Sequence, residues 1–207
     1  MPQTIGLAAQ GIACQRGERL LFQDLSFNLA PGEGLLVTGP NGSGKTSLLR
    51  QIAGLLPLAE GSLTITGASG DAAIPELCHY VGHLNAVKSS LTVAGNLAFW
   101  ADYLGGSRAD LPNALAAFGL APLADFPAGL LSAGQKRKLA LSRLFASPRP
   151  IWLLDEPQVS LDAPSLKLLD RAIGAHLAQG GIAVVASHTA LKTKFARKLT
   201  LGKKRTA

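Results

Sequence analysis

Cysteine is scarce in this chain of 207 residues: only Cys14 and Cys78 occur, far apart and in neither a C-x-x-C nor a metal-ligand spacing. No disulfide framework or zinc site is expected, and the two thiols are read as reduced. Long apolar runs are also missing. The run Ile182-Ala183-Val184-Val185-Ala186 falls far short of the roughly 20 residues that cross a bilayer, so the chain is not expected to be a membrane protein by itself. Met1-Pro2-Gln3-Thr4 has no basic segment leading into an apolar core and a cleavage site, so a cytoplasmic location is expected. There is no internal repeat and no low-complexity segment.

Acidic side chains are in deficit. Thirteen Asp and Glu against twenty Lys and Arg leave a net charge of +7. A dense basic run, Lys192, Lys194, Arg197, Lys198, Lys203, Lys204 and Arg205, lies near the end. A solvated tail, anionic cytoplasmic lipid and nucleic acid all fit such a run, and charge alone does not separate them. The 47% hydrophobic content supplies a sizeable core for one α/β domain with a small helical insert.

The most informative stretch is Gly39-Pro40-Asn41-Gly42-Ser43-Gly44-Lys45-Thr46, which matches the phosphate-binding pattern G-x-x-x-x-G-K-[ST]. Glycines let successive backbone N–H groups turn inward around phosphates, the lysine neutralises their charge, and the threonine hydroxyl is placed to ligate Mg²⁺. Gly34 to Thr38 before it reads as a buried strand, and Thr46 to Ile52 after it as a helix whose dipole adds positive potential.

Upstream, Ile5 to Cys14 and Leu20 to Ala30 read as β-rich, with a turn at Gln15-Arg16-Gly17-Glu18 between them; Gly61 to Gly67 and His79 to Gly82 read as further short strands. From Thr92, a good N-cap, the pattern turns helical, with Val93, Leu97, Trp100, Ala101 and Leu104 on one face and another helix over Leu111 to Phe118. Residues 85 to 133 are therefore expected to form a helical subdomain. Two continuous apolar runs follow, Ile151 to Leu154 ending in Asp155-Glu156 and Ile182 to Ala186 ending in Ser187-His188. Such runs are central parallel strands, whose carboxyl ends hold ligands. Between them a helix is capped by Asp162, has Pro164 in its first turn and stops at Gly180-Gly181.

Beside a phosphate loop, Asp155 is the expected Mg²⁺ carboxylate, acting with Thr46. Glu156 is the candidate to orient or deprotonate an attacking water. Leu131-Ser132-Ala133-Gly134-Gln135 resembles the L-S-G-G-Q signature of ATP-binding cassette (ABC) proteins. Ile151 to Pro157 is similar to their Walker B strand, Ser160-Leu161-Asp162 to their D-loop, and His188 to their switch histidine. The motifs keep the family's order from about residue 5 to residue 202.

The resemblance implies a P-loop NTPase fold of the ABC type, with a helical subdomain, an antiparallel β subdomain and ATP and Mg²⁺ as cofactors. It implies a head-to-tail homodimer in which the loop around Lys45 faces the partner's signature around Ser132, with His188 contacting the γ-phosphate. Two positions depart from the family. Arg16 stands where an aromatic residue usually stacks on adenine. Leu84 stands in place of the Q-loop glutamine, so His83 or Asn85 substitutes for it or ATPase coupling is weak.

Gly82-His83, Lys88, Leu91-Thr92, Asn96-Leu97, the L-S-A-G-Q signature, Arg16 and the short chain resemble more closely the ATP-binding subunits of haem exporters in cytochrome c maturation. This implies integral membrane permease subunits as partners, peripheral association with the cytoplasmic face of the inner membrane, and haem export or haem-chaperone release as the driven step. The alternatives are an ABC ATPase for another small molecule and, less favoured, a soluble nucleic-acid-associated one suggested by the pI of about 9.7. That last reading usually requires two cassettes in one chain or a large insertion, and no nucleic acid is expected here. His79, His83 and His176 are read as structural or surface residues, not haem ligands.

Overall fold

A computed structural model describes residues 5–68, 72–189 and 191–202. It divides into two compact units, one of residues 1–82, 150–156 and 172–207, the other of residues 83–149 and 157–171. The second unit is wider than the 85–133 segment read from the sequence, because the long helix after the signature and the segment after Glu156 pack with it.

The first unit holds both sheets. Strands β1 (Gly6–Arg16), β2 (Arg19–Leu29) and β4 (Glu60–Thr66) form an antiparallel sheet in the order β2-β1-β4. Its first hairpin is tighter than the sequence suggests: Gln15 and Arg16 belong to β1, Arg16 lies opposite Arg19, and only Gly17-Glu18 make the turn. The second sheet is parallel, ordered β5-β6-β7-β3-β8, from β3 (Gly34–Thr38), β5 (Cys78–Val81), β6 (Ile151–Asp155), β7 (Ile182–Ala186) and β8 (Arg197–Thr200). Every residue of β6 and β7 is buried, as a strand covered on both faces requires. The core joins Leu35, Val37, Leu153 and Val184 of the parallel sheet to Leu48, Leu49 and Ile52 of helix α1 (Lys45–Ile52), with Ile5, Leu7 and Leu29 from the antiparallel side.

The second unit is helical: α2 (Val93–Tyr103), α3 (Leu111–Ala117), α4 (Ala133–Ala146) and the first part of α5 (Ala163–Ala178). Thr92 caps α2 by accepting from the Gly95 N–H at 3.0 Å. The buried Asn96 side chain ties the incoming chain down through both backbone groups of Lys88. Val93, Leu97, Ala101, Leu115, Leu120, Leu131 and Leu139 fill the core of this unit. The Arg143 guanidinium is buried there, 4.3 Å from the centre of the Trp100 ring. Burial, with Arg137 nearby, pulls its pKa down to about 10.

In the first unit, His176 stacks on Trp152 with ring centroids 3.9 Å apart, its Nε2 lying 3.1 Å from the Ile182 carbonyl. Burial pushes its pKa down to about 4, against bonds with the Ile182 and Pro150 carbonyls that favour the charged ring. An unfolded imidazole titrates near 6.5, so between these values the unfolded chain binds a proton that the folded chain does not. Stability therefore falls as pH drops from 6.5 to 4. In His176→Gln, the loss of unfolding free energy between pH 7 and pH 4 should shrink by about 3 kcal/mol, measured by urea unfolding at each pH.

Candidate functional site

Parallel pairing sets the site in the first unit. β3 pairs with β7 and β7 with β6, which brings Asp155 opposite Ala186. The Ser187 N–H then donates to the Val37 carbonyl at 3.0 Å. The chain ends that leave these three strands, Gly39 onward, Asp155-Glu156 and Ser187-His188, therefore share one edge of the sheet.

The loop after β3 needs its glycines for space as well as for conformation. Gly39 has φ +142°, and a Cβ there would lie 2.5 Å from the Leu201 carbonyl oxygen; Gly44 has φ +101°, and its Cβ would lie 2.9 Å from the Phe22 ring. Ser43, Gly44 and Lys45 are buried at the base of the loop, while Pro40, Asn41 and Gly42 form its exposed lip. Lys45 Nζ donates to the carbonyls of Gly39 (2.8 Å) and Pro40 (3.1 Å). The ammonium is thus held inside the ring of the loop, where a phosphate oxygen would meet it.

The Thr46 hydroxyl donates to Asp155 Oδ2 at 2.8 Å, and Asp155 is 2% exposed. These two are the hard oxygen donors on which a Mg²⁺ ion would be held, its remaining positions going to phosphate and water. Among the described residues no cluster of three or more His, Cys, Asp or Glu is arranged for a metal.

Glu156 adopts φ +46°, a left-handed conformation that costs a non-glycine residue about 1–3 kcal/mol. Its N–H donates to the Ala186 carbonyl at 2.9 Å. Its Oε2 lies 2.9 Å from His188 Nδ1 and accepts from the His188 backbone N–H at 3.3 Å. Residues 32 positions apart thus meet carboxylate to imidazole, with the carboxylate mostly shielded and the ring largely exposed. Arg16 is exposed at the end of β1. The sequence reading passed over Phe22, whose ring closes on Gly44, and Arg19, whose guanidinium approaches Gly42. Their signal was the hairpin register, which places them beside Cys14 and Arg16.

The signature lies in the second unit. Leu131 is buried in the helical core. Ser132 caps α4: its Oγ accepts from the Gln135 N–H at 3.2 Å, while Gln135 Oε1 accepts from the Ser132 N–H at 2.8 Å. Ala133 opens the first turn, exposed. A Cβ at Gly134 would stand 2.7 Å from the Ser160 carbonyl oxygen, so that position admits no side chain without moving the segment that follows Pro157. Asp162 Oδ1 accepts from the Ser165 N–H at 2.9 Å, and its carboxyl is held below the usual range by Ser165. Ser132, Gly134, Gln135, Lys138, Ser160 and Asp162 line a polar cavity of about 330 Å³, with the α4 N-terminus supplying positive potential.

At the Q-loop position Leu84 is 82% exposed. His83 is exposed too, whereas Asn85 Oδ1 accepts from Arg137 Nη1 at 3.2 Å. Of the basic run, Lys192, Lys194, Arg197 and Lys198 are exposed, Arg197 Nε lying 3.6 Å from Glu33 Oε2; Lys203, Lys204 and Arg205 fall outside the described residues.

A nucleoside-triphosphate loop, a Walker-type Asp–Glu pair and a capped signature helix define an ATP-binding cassette protein. The family model described as ABC transporter matches residues 22–159. An ABC transporter ATP-binding protein from Pyrococcus furiosus shares the fold at TM-score 0.81 and 21% identity, over 95% of this chain and 97% of that one. An Atm1-family ABC exporter solved with ATP bound gives TM-score 0.82 at 22% identity, over 98% of this chain and 38% of that one. The chain is 48% identical over 196 residues to the cytochrome c biogenesis ATP-binding export protein CcmA of Rhodopseudomonas palustris strain BisB5, covering 95% of this chain and 98% of that protein. It is 52% identical over 185 residues to the CcmA of Rhodospirillum rubrum, covering 87% and 79%. The chain belongs to the ABC transporter ATP-binding family and, within it, to the group of these CcmA proteins.

Because Lys45 Nζ is already held at the centre of the loop, Lys45→Ala should leave the fold intact and weaken ATP binding at least about a hundredfold, as loss of a charge-assisted contact predicts. Titration with a fluorescent ATP analogue, with thermal unfolding alongside, checks it.

Proposed function

We propose that this chain is the ATP-hydrolysing subunit of a membrane transporter complex that drives haem export, or release of a haem-loaded chaperone, in cytochrome c biogenesis. The observation that carries this reading is the pairing of Glu156 with His188 beside Thr46 and Asp155, in a chain nearly half identical to CcmA proteins over almost its full length. Residues Gly39 to Thr46 wrap the phosphates, Lys45 moves from loop carbonyls to phosphate oxygens, and Arg16 lays its guanidinium plane against the adenine. A Mg²⁺ ion on Thr46 and Asp155 would supply charge neutralisation between the terminal phosphates. Glu156 accepts the proton of the water that attacks the γ-phosphorus, the bond to the bridging oxygen breaks, and ADP and phosphate leave. His188 holds Glu156 in line and contacts the γ-phosphate.

The partner of each loop is the signature of a second copy. Ser132, Ala133, Gly134 and Gln135 at the α4 N-terminus, with Leu131 anchoring them and Asp162 beside them, form a second anion site for that γ-phosphate. Hydrolysis removes the bridge and lets the head-to-tail homodimer open. Among the described residues no helix is long and apolar enough to cross a membrane, which fits a subunit that docks peripherally on integral permease subunits at the cytoplasmic face of the inner membrane. Cargo choice then belongs to the permease, so an ABC ATPase for a different small molecule is the second reading.

Glu156→Gln should keep ATP binding, lose turnover by about 10²–10⁴-fold and accumulate as an ATP-bound dimer in size-exclusion chromatography. Turnover at the parent rate would remove Glu156 as the base. A membrane pull-down of the tagged variant with ATP should recover cytochrome c maturation membrane subunits; recovery of a different permease would keep the ATPase and discard the haem assignment.

A further inference from the structure

The β1–β2 hairpin carries two cations that no carboxylate answers. Arg16 and Arg19 lie directly opposite each other on either side of the Gly17-Glu18 turn, and residues so paired send their side chains to the same face of the ribbon. Both are exposed, and among the described residues neither makes an ion pair with Glu18 or with any other acid. Like charges directly opposite destabilise a strand pair, so the hairpin by itself gains nothing from this arrangement.

The face they share is the one turned to the phosphate loop. Cys14, two residues before Arg16 in β1, pairs with Phe22, and the register shift between Cys14 and Gln15 brings Phe22 and Arg19, three residues apart, to one side of β2. The Phe22 ring seats on Gly44, where a Cβ would stand 2.9 Å from the ring and 3.3 Å from Leu21 Cβ. This close approach fixes the start of β2 against the loop. At Gly42, on the exposed lip, a Cβ would lie 4.0 Å from Arg19 Nη2 and, among the described residues, within that distance of no other group beyond its chain neighbours. The guanidinium therefore borders an otherwise open space at the lip, whereas Lys45 Nζ sits inside the ring of the loop on the Gly39 and Pro40 carbonyls.

We infer that Arg19 is a nucleotide-binding residue whose guanidinium takes the α- and β-phosphate oxygens from the lip of the loop, while Lys45 takes the terminal phosphates from within it. The inference rests on the ATPase reading above and adds a residue that the loop pattern does not contain. Backbone N–H groups of such loops cradle the α- and β-phosphates and the lysine reaches the β and γ, so a cation beside Gly42 meets the inner pair. A planar fork suits two phosphate oxygens at once. An anion held there also relieves the repulsion between Arg16 and Arg19. The hairpin's work is thereby divided, with Arg16 against the base and Arg19 on the phosphates.

The test is calorimetric titration of the full chain with ATP and with ADP, for the parent, Arg19→Gln and Arg19→Lys. Arg19→Gln should weaken both nucleotides about tenfold, and by the same factor within about threefold, since both carry the α- and β-phosphates and an exposed charge-assisted contact is of that size. Arg19→Lys, which keeps the charge and loses the fork, should recover part of the loss. Raising KCl from about 50 to about 300 mM should weaken ATP binding less in Arg19→Gln than in the parent, because one screened charge is gone. The nucleotide-free Arg19→Gln chain should unfold at or above the temperature of the parent, as removal of one of two opposed like charges predicts. Parent-like affinity in Arg19→Gln, a loss confined to ATP, no recovery in Arg19→Lys, an unchanged salt dependence, or a nucleotide-free variant that unfolds below the parent would each overturn the inference and leave the phosphate loop reading in place. A parent chain that binds neither nucleotide would instead strike the ATPase reading, and Arg19 with it.

Discussion

Everything chemical in the first unit depends on the ladder that joins β3, β7 and β6. Parallel pairing puts the carboxyl ends of three strands at one edge, and backbone bonds from Ser187 to Val37 and from Glu156 to Ala186 continue the ladder beyond the last strand residues. The Thr46–Asp155 bond and the Glu156–His188 contact follow from that register. A one-residue slip would turn Asp155 towards the opposite face of the sheet and take its carboxylate away from the Thr46 hydroxyl.

The second unit solves a different problem. Its α4 N-terminus is kept from fraying by the reciprocal bonds of Ser132 and Gln135, which hold the first turn while Leu131 anchors the approach to it. The glycine that the signature motif keeps at position 134 has a steric reason, the Ser160 carbonyl lying where a side chain would go. The alanine at position 133, where the ABC signature has glycine, is exposed and meets no such limit.

Much of this was legible beforehand because each signal is local. The loop pattern, the two apolar runs with acidic or Ser-His endings, and the caps at Thr92 and Asp162 are properties of a few consecutive residues, and the structure places these caps as read. The extent of the helical unit was not legible, because residues 157–171 join it through tertiary packing that leaves no periodic trace at its boundary. Arg16 could be singled out by motif, but Arg19 and Phe22 enter the picture only through the β1–β2 register. Beside Leu84, the tertiary structure adds that His83 is exposed while Asn85 accepts a hydrogen bond from Arg137, a difference no local pattern announces.

The sequence by itself determined the chemistry available: a phosphate loop, a buried strand ending in two carboxylates, a signature helix, and the motif order that places them in one family. Those depend on residue type and short-range spacing, which the chain writes directly. Only the tertiary structure decided which groups meet. Glu156 and His188 are 32 residues apart, Thr46 and Asp155 are 109 apart, and Arg137 and Asn85 are 52 apart. A hydrogen bond acts over about 3 Å, so contacts of that separation exist only once strand pairing and helix packing have fixed the backbone.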